Sequence, residues 1–236
     1  MLKIDYVLCR PGHMDNYSYI LTDHDSNISA IIDPSEAKPI IKKCEKLAIT
    51  PQYIINTHHH FDHIDGNLEL AKKYNAKIVC NITDKHRIEG SEIFVEDGSV
   101  FALGNSIAKI IDVSAHTQGH ILCYFEKDKA LFTGDTLFNL CIGGLFEGTP
   151  KQMFDALSKI KNMPDDTMFY PGHEYTFHAA NFAYHHNKAN ENIIKYLTKA
   201  KNNLDMTGHV FPLTLGEEKL CNPYLKAETL DDFSNL

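Results

Sequence analysis

Short apolar runs rich in β-branched and aromatic residues alternate with turn residues over the first third of the chain. Residues 4–8, 17–21 and 28–32 read as strands, split by Pro11-Gly12 and Asp25-Ser26-Asn27. Residues 35–47 have helical spacing, with Ile40, Ile41, Cys44 and Leu47 on one face. Tyr53-Ile54-Ile55 is an apolar run bounded by Pro51 and a histidine cluster, as expected of a buried strand. Residues 67–74 predict a helix with Leu68 and Leu70 inward, and residues 77–80 another strand. Strands follow over 100–103, 107–113, 121–125 and 130–132, with Gly104-Asn105 as a hairpin turn. Thr149 is placed to cap a helix over 150–160 that has Pro150 at its first position, and residues 168–170 form a last strand.

After Pro171-Gly172 the pattern changes. Residues 174–188 and 190–203 are helical and rich in Asn and Lys, and a tail punctuated by Pro and Gly follows. The pattern therefore predicts an α/β core over residues 1–170 and a helical region over 171–236.

Composition narrows the function classes. The 236 residues are 43% hydrophobic and 23% charged, values that exclude disorder as the main state. The net charge of −8 argues against a nucleic-acid partner. No run is long enough for a membrane span and no basic presequence is seen, so the cytoplasm is the expected compartment. The six cysteines form no C-x-x-C pair, and reduced, buried thiols are expected. Histidine is the anomaly, with 14 in the chain and four of them between Thr57 and His63.

Thr57-His58-His59-His60-Phe61-Asp62-His63 follows directly on a buried strand. In extended chain His58 and His60 point to the same side, and Asp62 and His63 aim at an adjacent point after the turn. Imidazole and carboxylate at this density suit Zn, Fe or Mn. A solvated His-rich loop is the bland alternative. The placement at the carboxyl end of a strand, where α/β sheets build their sites, favours the metal. His59 points away and is read as structural. His116, Asp135 and His173 each sit in a turn next to a strand and are candidate ligands as a set. His120 opens a strand and is read as structural.

The order T-H-H-H-F-D-H, A-H-T-Q-G-H, F-T-G-D-T-L-F and P-G-H-E-Y-T resembles that of the metallo-β-lactamase superfamily. Within it, Leu145-Phe146-Glu147-Gly148-Thr149, Gly172-His173-Glu174-Tyr175-Thr176 and the tail Thr214-Leu215-Gly216-Glu217-Glu218 with Asn222-Pro223-Tyr224 are similar to glyoxalase II, the hydroxyacylglutathione hydrolases. The resemblance implies an αββα sandwich with a C-terminal helical, substrate-binding region. It implies two divalent metals, zinc being expected and iron or manganese compatible. One metal would be held by His58, His60 and His116, the other by Asp62, His63 and His173, with Asp135 bridging. Asp62 and Asp135 would be the catalytic carboxylates. The implied reaction is hydrolysis of S-D-lactoylglutathione and similar thioesters by a metal-bridging hydroxide, in methylglyoxal detoxification, by a monomer. Asp33 and Asp65 are candidate supports for the ligand imidazoles, although capping or turn roles suit them better.

The family usually carries Lys or Arg just before the L/F-F/Y-E-G-T stretch and a basic C-terminal helix. Here the corresponding positions are Gly144 and the acidic stretch Asp231-Asp232-Phe233. Tyr175 and Phe146 remain as substrate contacts, and Lys226, Lys151 and Arg87 are the nearest basic replacements. The main alternative is a hydrolase of another acyl thioester or a lactone on the same scaffold. A persulfide dioxygenase, a nucleic-acid-processing enzyme and a non-enzymatic metal-binding protein are weaker. The helical tail and L-F-E-G-T oppose the first, the acidic balance the second, and the full ligand set the third.

Overall fold

The computed structural model describes residues 1–187 and 190–236. Six strands form one sheet in chain order: β1 (Leu2–Cys9), β2 (Asn16–Asp23), β3 (Ile28–Ile32), β4 (Tyr53–Ile55), β5 (Lys77–Asn81) and β6 (Ser91–Val95). β1 to β3 pair antiparallel, and β3 to β6 pair parallel. The helices α1 (Ala37–Leu47), α2 (Phe61–Ile64) and α3 (Asn67–Tyr74) lie in the crossovers that parallel pairing requires. The second sheet contains β7 (Val100–Leu103), β8 (Ser106–Asp112), β9 (Ile121–Phe125), β10 (Ala130–Gly134) and a strand at Met168–Pro171 in the order β7-β8-β9-β10 and then that strand, which runs parallel to β10. Two short strands, β11 (Leu137–Phe138) and β12 (Cys141–Ile142), pair with each other, which makes the Met168–Pro171 strand β13.

Alternation along the strands builds the layers. Ile20, Ile31, Ile54 and Ile78 face outward from the first sheet and pack with Ala37, Ile40, Cys44 and Leu70 of α1 and α3. Their neighbours Tyr19, Leu21, Ile32, Ile55 and Val79 face the second sheet and meet Ile110, Cys123, Phe125 and Phe132 there. β9 and β10 are buried on both faces, as in a sheet covered on each side. The helix α4 (Pro150–Lys161) adds Met153, Ala156, Leu157 and Ile160 to the same core. Thr149 caps it in a reciprocal box with Gln152, with Pro150 opening the helix.

The C-terminal region is α5 (Thr176–His186), α6 (Glu191–Thr207), α7 (Leu215–Cys221), α8 (Pro223–Lys226) and α9 (Leu230–Ser234). α7 and α9 open with capping boxes, Thr214 with Glu217 and Thr229 with Asp232. The buried Glu218 ties this region to the core. It accepts from the Leu140 backbone N–H at 2.6 Å, the Tyr196 hydroxyl at 2.5 Å and Asn222 Nδ2 at 2.8 Å.

Several elements differ from the sequence expectation. Leu68 is about half exposed, and Leu70, with Ala71 and Tyr74 beside it, anchors α3 instead. The first helix starts at Ala37 because Glu36, in extended conformation, precedes it. β6 and α7 to α9 were not expected as elements. The expected helix over 174–188 starts later, at Thr176, and Lys188 lies outside the described residues. All six cysteines are unpaired, and five of them are buried.

Candidate metal centre

Five loops converge at the carboxyl ends of the strands. β4 delivers His58, His60, Asp62 and His63; the loops after β8, β10 and β13 deliver His116, Asp135 and His173; and Asp33 ends β3. Two glycines permit the approach. A Cβ on Gly134, whose φ is +47°, would stand 2.4 Å from the Thr57 hydroxyl and 2.8 Å from His120 Nε2. A Cβ on Gly172 would stand 2.2 Å from Asp135 Oδ1.

The polar atoms fall into two groups. His60 Nδ1 lies 3.1 Å from His58 Nε2 and 3.0 Å from His116 Nε2. His63 Nε2 lies 3.3 Å from His173 Nε2, and Asp62 Oδ2 lies 3.5 and 3.4 Å from those two nitrogens. Asp135 stands between the groups. Its Oδ2 is 3.5 Å from His116 Nε2 and 3.2 Å from His173 Nε2, and its Oδ1 is 3.3 Å from His63 Nε2.

The residues fit two cations on three counts. First, the outer ring nitrogens of four of the five imidazoles are committed as donors. His63 Nδ1 donates to Asp33 Oδ2 at 3.0 Å, His116 Nδ1 to the Gly144 carbonyl at 2.7 Å, and His173 Nδ1 to the Met14 carbonyl at 2.7 Å. Thr57 gives its hydroxyl proton to Asp33 and so accepts from His58 Nδ1 at 3.0 Å. The inner nitrogens of these four rings then present lone pairs to the two groups, an arrangement a cation resolves. Second, Asp33, Asp62 and Asp135 are all buried, and their side-chain contacts among the described residues are imidazoles, Asn16 and Thr57, with no lysine or arginine. Buried carboxylates need a compensating charge. Third, Asp135 Oδ1 is buried without a hydrogen-bond partner.

The electrostatics agree with this donor set. Burial, with His63 alongside, holds the His58 imidazole well below the usual range, and burial and His116 bring His60 down to about 4. These rings are neutral and ready to ligate near pH 7. Burial opposes charge on Asp135, yet the flanking His63 and His173 hold it well below the usual carboxylate value.

The surrounding residues correct and extend the sequence reading. Asp33 is not a cap. It accepts the Thr57 backbone N–H at 2.7 Å and the Thr57 hydroxyl at 2.6 Å, and it orients His63. Asp65 stands at the C-cap of α2 and pairs with Arg10. His59 turns away from both groups toward Asp84, Arg87 and Glu147. His120 stacks on His58 at 4.8 Å, and its Nε2 accepts the Asp135 backbone N–H at 3.0 Å. Asn16, to which the sequence assigned no role at the site, donates to Asp62 Oδ2 at 2.8 Å.

A cavity of about 390 Å³ opens over the centre, walled by Phe61, Phe138, Phe146 and Tyr175 and floored by the ligand side chains and Gly143-Gly144. The Tyr175 ring stacks on His173 at 4.9 Å. Phe146 stands edge-on to His60 and His116 at 5.4 and 5.2 Å.

A family model described as the metallo-beta-lactamase superfamily matches residues 12–173, and one described as hydroxyacylglutathione hydrolase C-terminus matches residues 174–233. The chain belongs to the hydroxyacylglutathione hydrolase family. A hydroxyacylglutathione hydrolase of Pelagibacter ubique is 44% identical over 235 residues, covering 100% of this chain and 97% of the relative. One of Trichodesmium erythraeum is 38% identical over 224 residues, covering 92% of this chain and 87% of the relative. Among solved structures, ETHE1 from Myxococcus xanthus superposes with a TM-score of 0.73 at 20% identity, covering 98% of this chain and 88% of that one, which supports the fold.

At the position where the resemblance leads one to expect a basic residue, the chain has glycine. Gly144 lines the cavity and contributes its carbonyl to His116. The three nearest basic candidates are all engaged elsewhere: Lys226 with Asn187, Lys151 with Asp155 and Arg87 with Glu147.

Proposed function

We propose that the protein hydrolyses S-(2-hydroxyacyl)glutathione, S-D-lactoylglutathione in particular, to glutathione and a 2-hydroxy acid, and so serves methylglyoxal detoxification. The observation that carries this reading is the gathering of six candidate ligand side chains around Asp135 beneath a cavity walled by Tyr175 and Phe146. We assign His58, His60 and His116 to one cation and Asp62, His63 and His173 to the other, with Asp135 shared. Zinc is the expected metal, and iron or manganese suits the same donors.

When bound, the two cations polarise a thioester carbonyl and make a water acidic enough to attack it near neutral pH. The chain does the rest. Asp62, held by Asn16 through Oδ2, orients the attacking water and takes up its proton. Phe146 and Phe61 form apolar walls that exclude bulk water from the acyl group. Attack on the carbonyl carbon ends with cleavage of the C–S bond, and the thiolate leaves without a dedicated acid because a thiol has a pKa of about 8.5. Tyr175, fixed on His173, offers its hydroxyl to the peptide arm of the thiol. The helical region from residue 171 onward is assigned to binding that arm.

A monomer in the cytoplasm is proposed. No helix among the described residues is long and apolar enough to cross a membrane, and the net charge of −8 disfavours nucleic acid. The engaged cations and Gly144 favour one second reading, a related acyl thioester or a lactone as substrate. A substrate panel tests the choice. Turnover of S-D-lactoylglutathione should exceed that of a simple acyl thioester and of a lactone in kcat/KM by about tenfold or more. Efficient lactone cleavage without any glutathione thioester cleavage would move the substrate class.

A further inference from the structure

The chain has two arginines, Arg10 and Arg87, and Arg87 lies behind the histidine cluster, just after the turn Ile82–Asp84. Its Nη1 donates to both carboxylate oxygens of Glu147 at 2.9 Å. Asp84 holds the arginine inward. That carboxylate is buried, both of its oxygens lack a hydrogen-bond partner, and Oδ1 is 3.7 Å from Arg87. Glu147 in turn fastens the segment that wraps His116. Its Oε2 accepts the Gln118 backbone N–H at 2.7 Å, and its carbonyl accepts from Gln118 Nε2 at 3.1 Å. The backbone N–H groups of Phe146 and Glu147 both point at the His116 carbonyl at 3.3 Å. Gly144, two residues before Phe146, accepts from His116 Nδ1. His116 is thus held by ring and by backbone from one segment, and that segment is tied down at Glu147.

We propose that Arg87 is a positioning residue for the His58/His60/His116 metal group, acting through Glu147 on His116. The proposal rests on the two-cation reading given above. The other group has separate supports: Asn16 on Asp62, Asp33 on His63 and the Met14 carbonyl on His173. Loss of Arg87 therefore affects the two cations unequally. Partners of metal ligands characteristically tune affinity by about 10- to 100-fold. An exposed ion pair with no such role contributes almost nothing.

The test is a competitive zinc titration against a chromophoric chelator on the full chain, with parent, Arg87→Ala, Glu147→Ala, Glu147→Gln, Arg87→Lys and the Arg87→Ala/Glu147→Ala double variant. Each alanine variant should lose about 10- to 100-fold in affinity for one equivalent and keep the other. The double variant should fall within about threefold of the Glu147→Ala single, because both changes act through one carboxylate. Glu147→Gln, which keeps the shape and loses the charge, should lie between parent and Glu147→Ala, and Arg87→Lys should restore part of the loss. The proposal is overturned if the parent binds two equivalents and the variants bind both as tightly. It is equally overturned if both equivalents weaken together, or if the double variant shows the product of the single effects. A parent that binds fewer than two equivalents overturns the two-cation reading itself.

Discussion

Asp33 Oδ2 receives the Nδ1 proton of His63 at 3.0 Å, across 30 residues of chain. The same carboxylate takes two hydrogen bonds from Thr57, the residue immediately before the ligand cluster. One side chain therefore sets both the tautomer of His63 and the start of the histidine loop. Asp33→Asn leaves a single acceptor oxygen for three donors. Zinc affinity at the Asp62/His63/His173 group should drop by about 10- to 100-fold. Chelator competition measures it, and parental affinity in the variant would show that Asp33 supports only the fold.

Gly144→Lys should lower KM for S-D-lactoylglutathione and leave kcat within about threefold. A charge-assisted contact to the peptide arm is worth about 1.5–3 kcal/mol, or roughly tenfold to a hundredfold in KM. It is made equally in ground and transition states. The backbone accepts a side chain there. Gly144 is not among the residues with positive φ, and its added Cβ would meet only the Phe146 ring edge at 3.2 Å. That ring is 72% exposed and free to swing. The Gly144 carbonyl that holds His116 belongs to the backbone and survives the change. Steady-state kinetics with an unchanged KM would place the peptide arm elsewhere.

Glu218 makes stability depend on pH. Burial pushes its carboxyl up to about 7, against hydrogen bonds from Tyr196, Asn222 and Leu140 that favour the charged form. In the unfolded chain a glutamate titrates near 4.3. Between these values the folded state holds the extra proton, so its contribution is full below about pH 4 and is lost as pH rises toward 7. The slope is at most about 1.4 kcal/mol per pH unit. Glu218→Gln should remove that slope. Thermal melting at pH 5, 6, 7 and 8 compares the two, and parallel curves would show that Glu218 does not titrate in this window.

Local pattern carried most of the scaffold. Residues 30–32, Tyr53–Ile55 and Ile121–Phe125 announce themselves by unbroken apolar runs because both faces of these strands are covered. β6 does not, since it is an edge strand whose Phe94 is left exposed. The capping boxes of α7 and α9, Thr214 with Glu217 and Thr229 with Asp232, stood in the sequence as readable starts but opened helices too short to show a period. The candidate ligand histidines were legible through their density and their places after strands. Asp33 was legible only as a candidate support with a capping or turn role preferred, because its contact with His63 depends on Ile32 lying beside Ile55 in parallel register, a relation the local sequence does not contain. The carbonyls of Met14 and Gly144 had no side-chain signal at all.

The most direct test of the account is reconstitution of metal-free protein with zinc, followed by hydrolysis of S-D-lactoylglutathione at each addition. The seven donors, split three and three with Asp135 shared, predict activity that climbs to a plateau at two equivalents per chain. Full activity in metal-free protein, or a plateau at one equivalent, would contradict it.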